Sequence, residues 1–174
     1  MAKSKTNANG ERKEEGGSAL YVYCVGARED LAPLFRAELP DAMEGGRGLE
    51  LVESEDLAAV ACAVPLADYG EGALEARLTD AAWTATRALR HERAVEHFAR
   101  RAAVVPLRFG TIYLRRESIA RMLRERGAEL RPALARLEGR EEWGVNLYAA
   151  RAVLRGEIER VSPRLREQIG RAHV

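Results

Sequence analysis

A chain of 174 residues, 47% hydrophobic and 32% charged, is long enough to bury a substantial core and too apolar for wholesale disorder. Its 28 Lys and Arg against 27 Asp and Glu leave a formal charge of +1, so no net field gathers polyanions and nucleic acid is not favoured as a partner. The polar start of the chain carries no apolar signal region, and nowhere is there a run of about 18 apolar residues, which disfavours secretion and membrane insertion and fits a cytoplasmic protein.

Met1 to Gly17 is rich in Lys, Asn, Gly and Glu and is predicted to be a disordered tail. Ala19 to Val25 (ALYVYCV) is β-branched and aromatic and stops at Gly26, the pattern of a buried strand. Leu31, Leu34, Phe35 and Leu39 recur at helical spacing, predicting a helix over Glu29–Leu39 with Asp30 as N-cap and Pro40 as stop. A glycine-rich loop over Asp41–Gly48 leads to two strands, Leu49–Val52 and Leu57–Val64, paired as a hairpin around Ser54–Asp56. From Leu74 to Ala99 there is neither Pro nor Gly, and a stripe including Leu74, Leu78, Ala85, Leu89 and Phe98 predicts the longest helix, preceded near Gly70–Gly72 by a short helical turn. Ala103–Tyr113 returns to β composition, but Pro106 cannot donate to a ladder, so the segment is either an edge strand or a strand broken by a loop; both expose backbone near PLRFG. Ser118–Leu137 is helical with a break at Gly127, and Glu141–Ala149 alternates as a strand before two short Arg-rich amphipathic stretches. The sum is an α+β chain: an antiparallel sheet with helices packed on it.

Chemistry-bearing patterns are sparse. His91 and His97 (HERAVEH) lie six residues apart on one helix and point in different directions, whereas zinc-binding histidines need one turn between them, so both are expected on a solvated face. Cys24 and Cys62 sit in apolar runs as small hydrophobes, too few for a disulfide framework. No nucleophile elbow, Walker loop or dinucleotide-binding turn is present, and the helical carboxylates are interleaved with Arg as ion-paired solvent faces. No metal, cofactor or enzymatic activity is expected. The most unusual stretch is VVPLRFGTIY, where Arg108, Phe109 and Gly110 follow a Pro in an apolar segment; composition favours a kinked edge strand whose Arg108 pairs with a nearby carboxylate and whose Gly110 permits tight packing.

VVPLRFGTIY, a helical region after it, and LEGREEWGVNLY (Leu137–Tyr148) together resemble the two most recognisable blocks of the L/F family of gas-vesicle accessory proteins. LYVYCVG, DLAAVACAVPLADYG and the Trp-bearing helix running into ALRHERAVEHF agree in order and spacing, so the resemblance covers about Ala19 to Tyr148. It implies an N-terminal α+β domain over residues 18–138 and, over 139–174, a shortened remnant of a ferredoxin-like domain opened by the strand around Trp143. It also implies a non-enzymatic assembly factor or minor structural component that binds the gas vesicle shell protein and other accessory proteins, located at the vesicle in the cytoplasm. Arg108, Phe109, Gly110, Trp143 and Gly144 are the binding or structural motif residues that the resemblance singles out. A different class of function for the same residues is a small ligand-binding module, Arg108 holding an anion beside a pocket closed by Phe109 and Trp143. An enzyme using His91 or His97 with a neighbouring Glu ranks last.

Overall fold

A computed structural model describes residues 17–140, all within the unit Met1–Arg140; the other unit, Glu141–Val174, lies outside the described residues. The tail expected before Gly17 therefore lies outside them, as do the strand Glu141–Ala149 with Trp143 and Gly144 and nearly all of the ferredoxin-like portion.

The described chain is α+β, as its patterning predicts. Strands β1 (Ser18–Ala27), β2 (Leu49–Ser54), β3 (Leu57–Pro65), β4 (Val104–Pro106) and β5 (Ile112–Tyr113) form one sheet of order β2-β3-β1-β4, with β5 also on β1 and every described pairing antiparallel. Helices α1 (Arg28–Leu34), α2 (Leu66–Tyr69), α3 (Glu71–Leu78), α4 (Ala81–Ala99), α5 (Arg116–Glu125) and α6 (Gly127–Leu137) cover it on both faces.

Strands buried on both faces need apolar residues at nearly every position, and β1 and β3 have them. One face carries Tyr21, Tyr23 and Cys24 of β1 with Val60, Cys62 and Val64 of β3, packed against Leu31 of α1 and Ala94 and Phe98 of α4. The other carries Val22 and Val25 with Ala59 and Ala61, packed against Ile119, Met122 and Leu123 of α5 and Leu130 and Leu134 of α6. Residue parity switches within β1 because Val22 opposes Ala61 while Cys24 opposes Val60, so Tyr23 is an extra residue, a β-bulge that turns both Tyr23 and Cys24 toward the first face.

Three expectations need correction. The helix predicted over Glu29–Leu39 stops at Leu34, and Asp30 lies in its first turn while Ala27 occupies the N-cap. Pro33 cannot bond the Glu29 carbonyl, which weakens the short helix, and the chain leaves it through tighter i to i−3 bonds, such as Phe35 N–H to the Ala32 carbonyl at 3.3 Å. The long helix is broken in two: Asp80 carboxylate oxygen accepts from the amides of Ala82 (3.0 Å) and Trp83 (3.1 Å), capping α4 at a point that propensity alone reads as interior. Finally, the core-facing stripe of α4 runs through Trp83, Arg87, His91, Ala94 and Phe98, so Leu89 is 52% exposed and His91, expected on a solvated face, is buried.

Candidate functional site

Along the outer side of β1 the chain pairs, leaves and returns. Leu107 N–H donates to the Tyr23 carbonyl at 2.8 Å and Val22 N–H to the Thr111 carbonyl at 2.9 Å, so Arg108, Phe109 and Gly110 are extruded between two ladder bonds. The segment is thus the broken-strand alternative, with β4 and β5 as its halves. Its tip closes as a β-turn, the Arg108 carbonyl accepting both the Thr111 amide (3.1 Å) and the Thr111 hydroxyl (2.7 Å). Gly110 stands at φ +82°, the left-handed conformation that the third position of a type II turn requires and that a β-carbon resists.

The three turn residues divide the work. Arg108 is exposed, and the carboxylate pairing expected for it is not found among the described residues, because the turn lifts its guanidinium off the sheet into solvent. Phe109 is half-buried with its ring edge-on to Tyr21 (6.2 Å between centroids) and His91 (6.0 Å). Gly110 N–H donates to the Tyr21 hydroxyl at 3.2 Å, and that hydroxyl lies 2.9 Å from Nδ1 of His91. His91 also stacks on Tyr23 at 5.7 Å. With the phenol oxygen accepting from Gly110, its own proton is free to go to Nδ1 of a neutral His91. Burial pushes the His91 pKa down, against smaller opposing effects of Glu92 and the Leu107 backbone, and burial likewise pushes the Tyr21 phenol up, so neutrality of both is the state that the packing favours.

The second β1 tyrosine anchors a second loop. Met43 N–H donates to the Tyr23 hydroxyl at 2.8 Å, and that hydroxyl sits 3.3 Å from the Cys62 thiol. Burial drives the Cys24 pKa up to about 12 and raises that of Cys62, so both thiols stay protonated. Around the rim, Arg87 lies 4.0 Å over the Trp83 ring, donates to the Tyr69 hydroxyl at 3.2 Å and pairs with Glu44 at 2.9 Å.

Of the residues singled out from the sequence, Arg108, Phe109 and Gly110 form one turn, while Trp143 and Gly144 lie outside the described residues. Tyr21 was not among them, and His91 was weighed only as a surface histidine or a last-ranked acid or base. The signal for His91 was available in the spacing Trp83, Arg87, His91, Ala94, Phe98, but its charged neighbours Glu92 and Arg93 masked it. His91 and His97 are not brought together; His97 lies edge-on to Phe98 at 5.1 Å. Among the described residues no three His, Cys, Asp or Glu side chains converge as a metal site, and no helix is long and apolar enough to cross a membrane.

Comparison with known proteins agrees with the sequence resemblance. The family described as gas vesicle synthesis protein GvpL/GvpF matches residues 19–173. The chain belongs to this family. It is also 33% identical over 156 residues to gas vesicle protein L of a Streptomyces strain, an alignment covering 88% of this chain and 56% of that protein. The chain thus spans little more than half the length of that GvpL/GvpF relative. No solved structure matches it.

Proposed function

We propose that this chain is a non-enzymatic accessory or minor structural protein of gas vesicles that binds the shell protein and other vesicle proteins during assembly in the cytoplasm. The observation that carries the reading is the GvpL/GvpF match across residues 19–173. The geometry supports it: the turn Arg108–Gly110 presents an exposed cation on a sheet edge, while the ionisable groups beneath it are buried, neutral and occupied with one another. Arg108 and Phe109 contact the partner and Gly110 shapes the turn; Trp143 and Gly144 are further binding or structural residues on the strength of the sequence resemblance alone.

Co-purification of the full chain with the co-encoded shell protein tests the proposal. Capture that falls in Arg108→Ala, with thermal stability unchanged, is the expected result; no capture by the wild-type chain contradicts it. The anion-binding reading of Arg108 predicts instead that phosphate raises the melting temperature of the wild type but not of Arg108→Ala, because a ligand that binds only the native state stabilises it.

A further inference from the structure

The Arg108–Thr111 turn is not held by its own sequence alone. Its internal bonds both end on the Arg108 carbonyl, and the ladder grips it only at Leu107 and Thr111. The amide of Gly110, the residue with the least conformational restraint, reaches inward to a hydroxyl from a central strand, and that hydroxyl is oriented by an imidazole from α4. The imidazole is held in turn between the Tyr23 ring and the Phe109 ring. Three separate elements, β1, α4 and the β4–β5 connection, therefore converge on one backbone amide at the surface turn.

We infer that Tyr21 and His91 are positioning residues: the chain from the His91 imidazole through the Tyr21 hydroxyl to the Gly110 amide fixes the shape in which Arg108 and Phe109 are presented. A purely space-filling pair at these positions would call for Phe and Leu, and burying a phenol and an imidazole costs free energy unless each is hydrogen-bonded. Both are, and the bond they make in series ends on the turn. That the turn is the partner contact rests on the function proposed above; that its shape depends on Tyr21 and His91 does not.

Amide hydrogen exchange on the full chain separates the two claims. Tyr21→Phe keeps the ring and removes one oxygen. The inference expects exchange at Gly110 to quicken by about tenfold, the scale of one lost hydrogen bond, while Val60 and Ala61 in the sheet centre exchange as in the wild type. Unchanged exchange at Gly110 overturns it. Should Tyr21→Phe fail to fold, the pair His91→Phe and His91→Asn decides: faster Gly110 exchange in the first and near-native exchange in the second, whose side-chain oxygen can accept from Tyr21, supports the inference, and equal exchange in both overturns it. Capture of the shell protein by the same variants reads the other claim: it falls with Gly110 protection if the turn is the contact. Capture that survives a loosened turn refutes the contact and leaves the positioning result standing.

Discussion

The two faces of the sheet are built from different chemistry. Toward α5 and α6 the buried contacts carry no aromatic ring, Val22, Val25 and Ala59 against Ile119, Leu123 and Leu130, with Tyr113 only partly buried against them and polar groups confined to the periphery. There Arg131 forks onto Asp56 at 2.8 and 2.6 Å and reaches Glu55 at 3.1 Å, Arg124 donates to the Ser54 hydroxyl at 3.4 Å, and Arg116 pairs with Glu50 while donating to the Leu51 carbonyl at 2.8 Å. Toward α4 the core itself is polar and aromatic, and each of its two β1 tyrosines receives the amide of a loop, Gly110 at Tyr21 and Met43 at Tyr23. One face holds the domain together; the other spends buried hydrogen bonds on the shape of surface segments. The role proposed above, presenting surface to partners, calls for both and for their being separable.

Substitutions test that separation. The largest expected effect is on the aliphatic face: Leu123→Ala removes a fully buried side chain and should cost about 2–5 kcal/mol in urea unfolding, with Gly110 exchange changed only as far as global opening changes. A local rise at Gly110 would show that the faces are coupled. Next comes Gly110→Ala on the aromatic side. A β-carbon there lies 3.4 Å from Leu74 Cδ2, ordinary contact, so the cost is that of the φ +82° backbone, about 1–2 kcal/mol, with partner capture reduced out of proportion to the stability lost.

Acid should act on the two faces in separate windows. The His91 pKa is lowered in the folded state, so the unfolded chain takes up a proton first; stability is complete above about pH 6.5, declines as pH falls from there to the lowered folded value, and is flat below it. The charged and titratable groups around His91 are Tyr21 and Tyr23 from β1 and Glu92 on its own helix. On the other side, hydrogen bonding from Arg131 lowers Asp56 to about 2, so that contribution is present at neutral pH and is lost only in strong acid as pH falls toward about 2. Burial lowers the His97 pKa as well, so His91→Asn should shrink the first decline to the share of His97 and leave the second. The smallest effect is expected of Arg131→Ala, whose exposed pairs are screened by salt; it should trim only the second decline and vanish at high ionic strength.

The strands were legible because burial on both faces forces continuous apolar runs: ALYVYCV and LAAVACAV can be little else. The hairpin and the break at Gly127 were legible for local reasons of turn chemistry and propensity. The split at Asp80 was not, because an Asp inside a Pro-free window declares itself as a cap only through its bonds to Ala82 and Trp83. Nor was the polar core. A histidine flanked by Glu and Arg reads as surface, and only the three-dimensional meeting of α4, β1 and the interrupted edge turns it inward onto Tyr21. The bulge at Tyr23 was likewise invisible, since a parity switch leaves an apolar run equally apolar.

The central claim is that the Arg108–Gly110 turn meets the partner, and amide exchange of the full chain with and without the gas vesicle shell protein tests it most directly. The account predicts new protection concentrated from Leu107 to Tyr113. Protection confined to α3 and α4, around the exposed Leu78 and Leu89, with the turn exchanging as in the free chain, would contradict it.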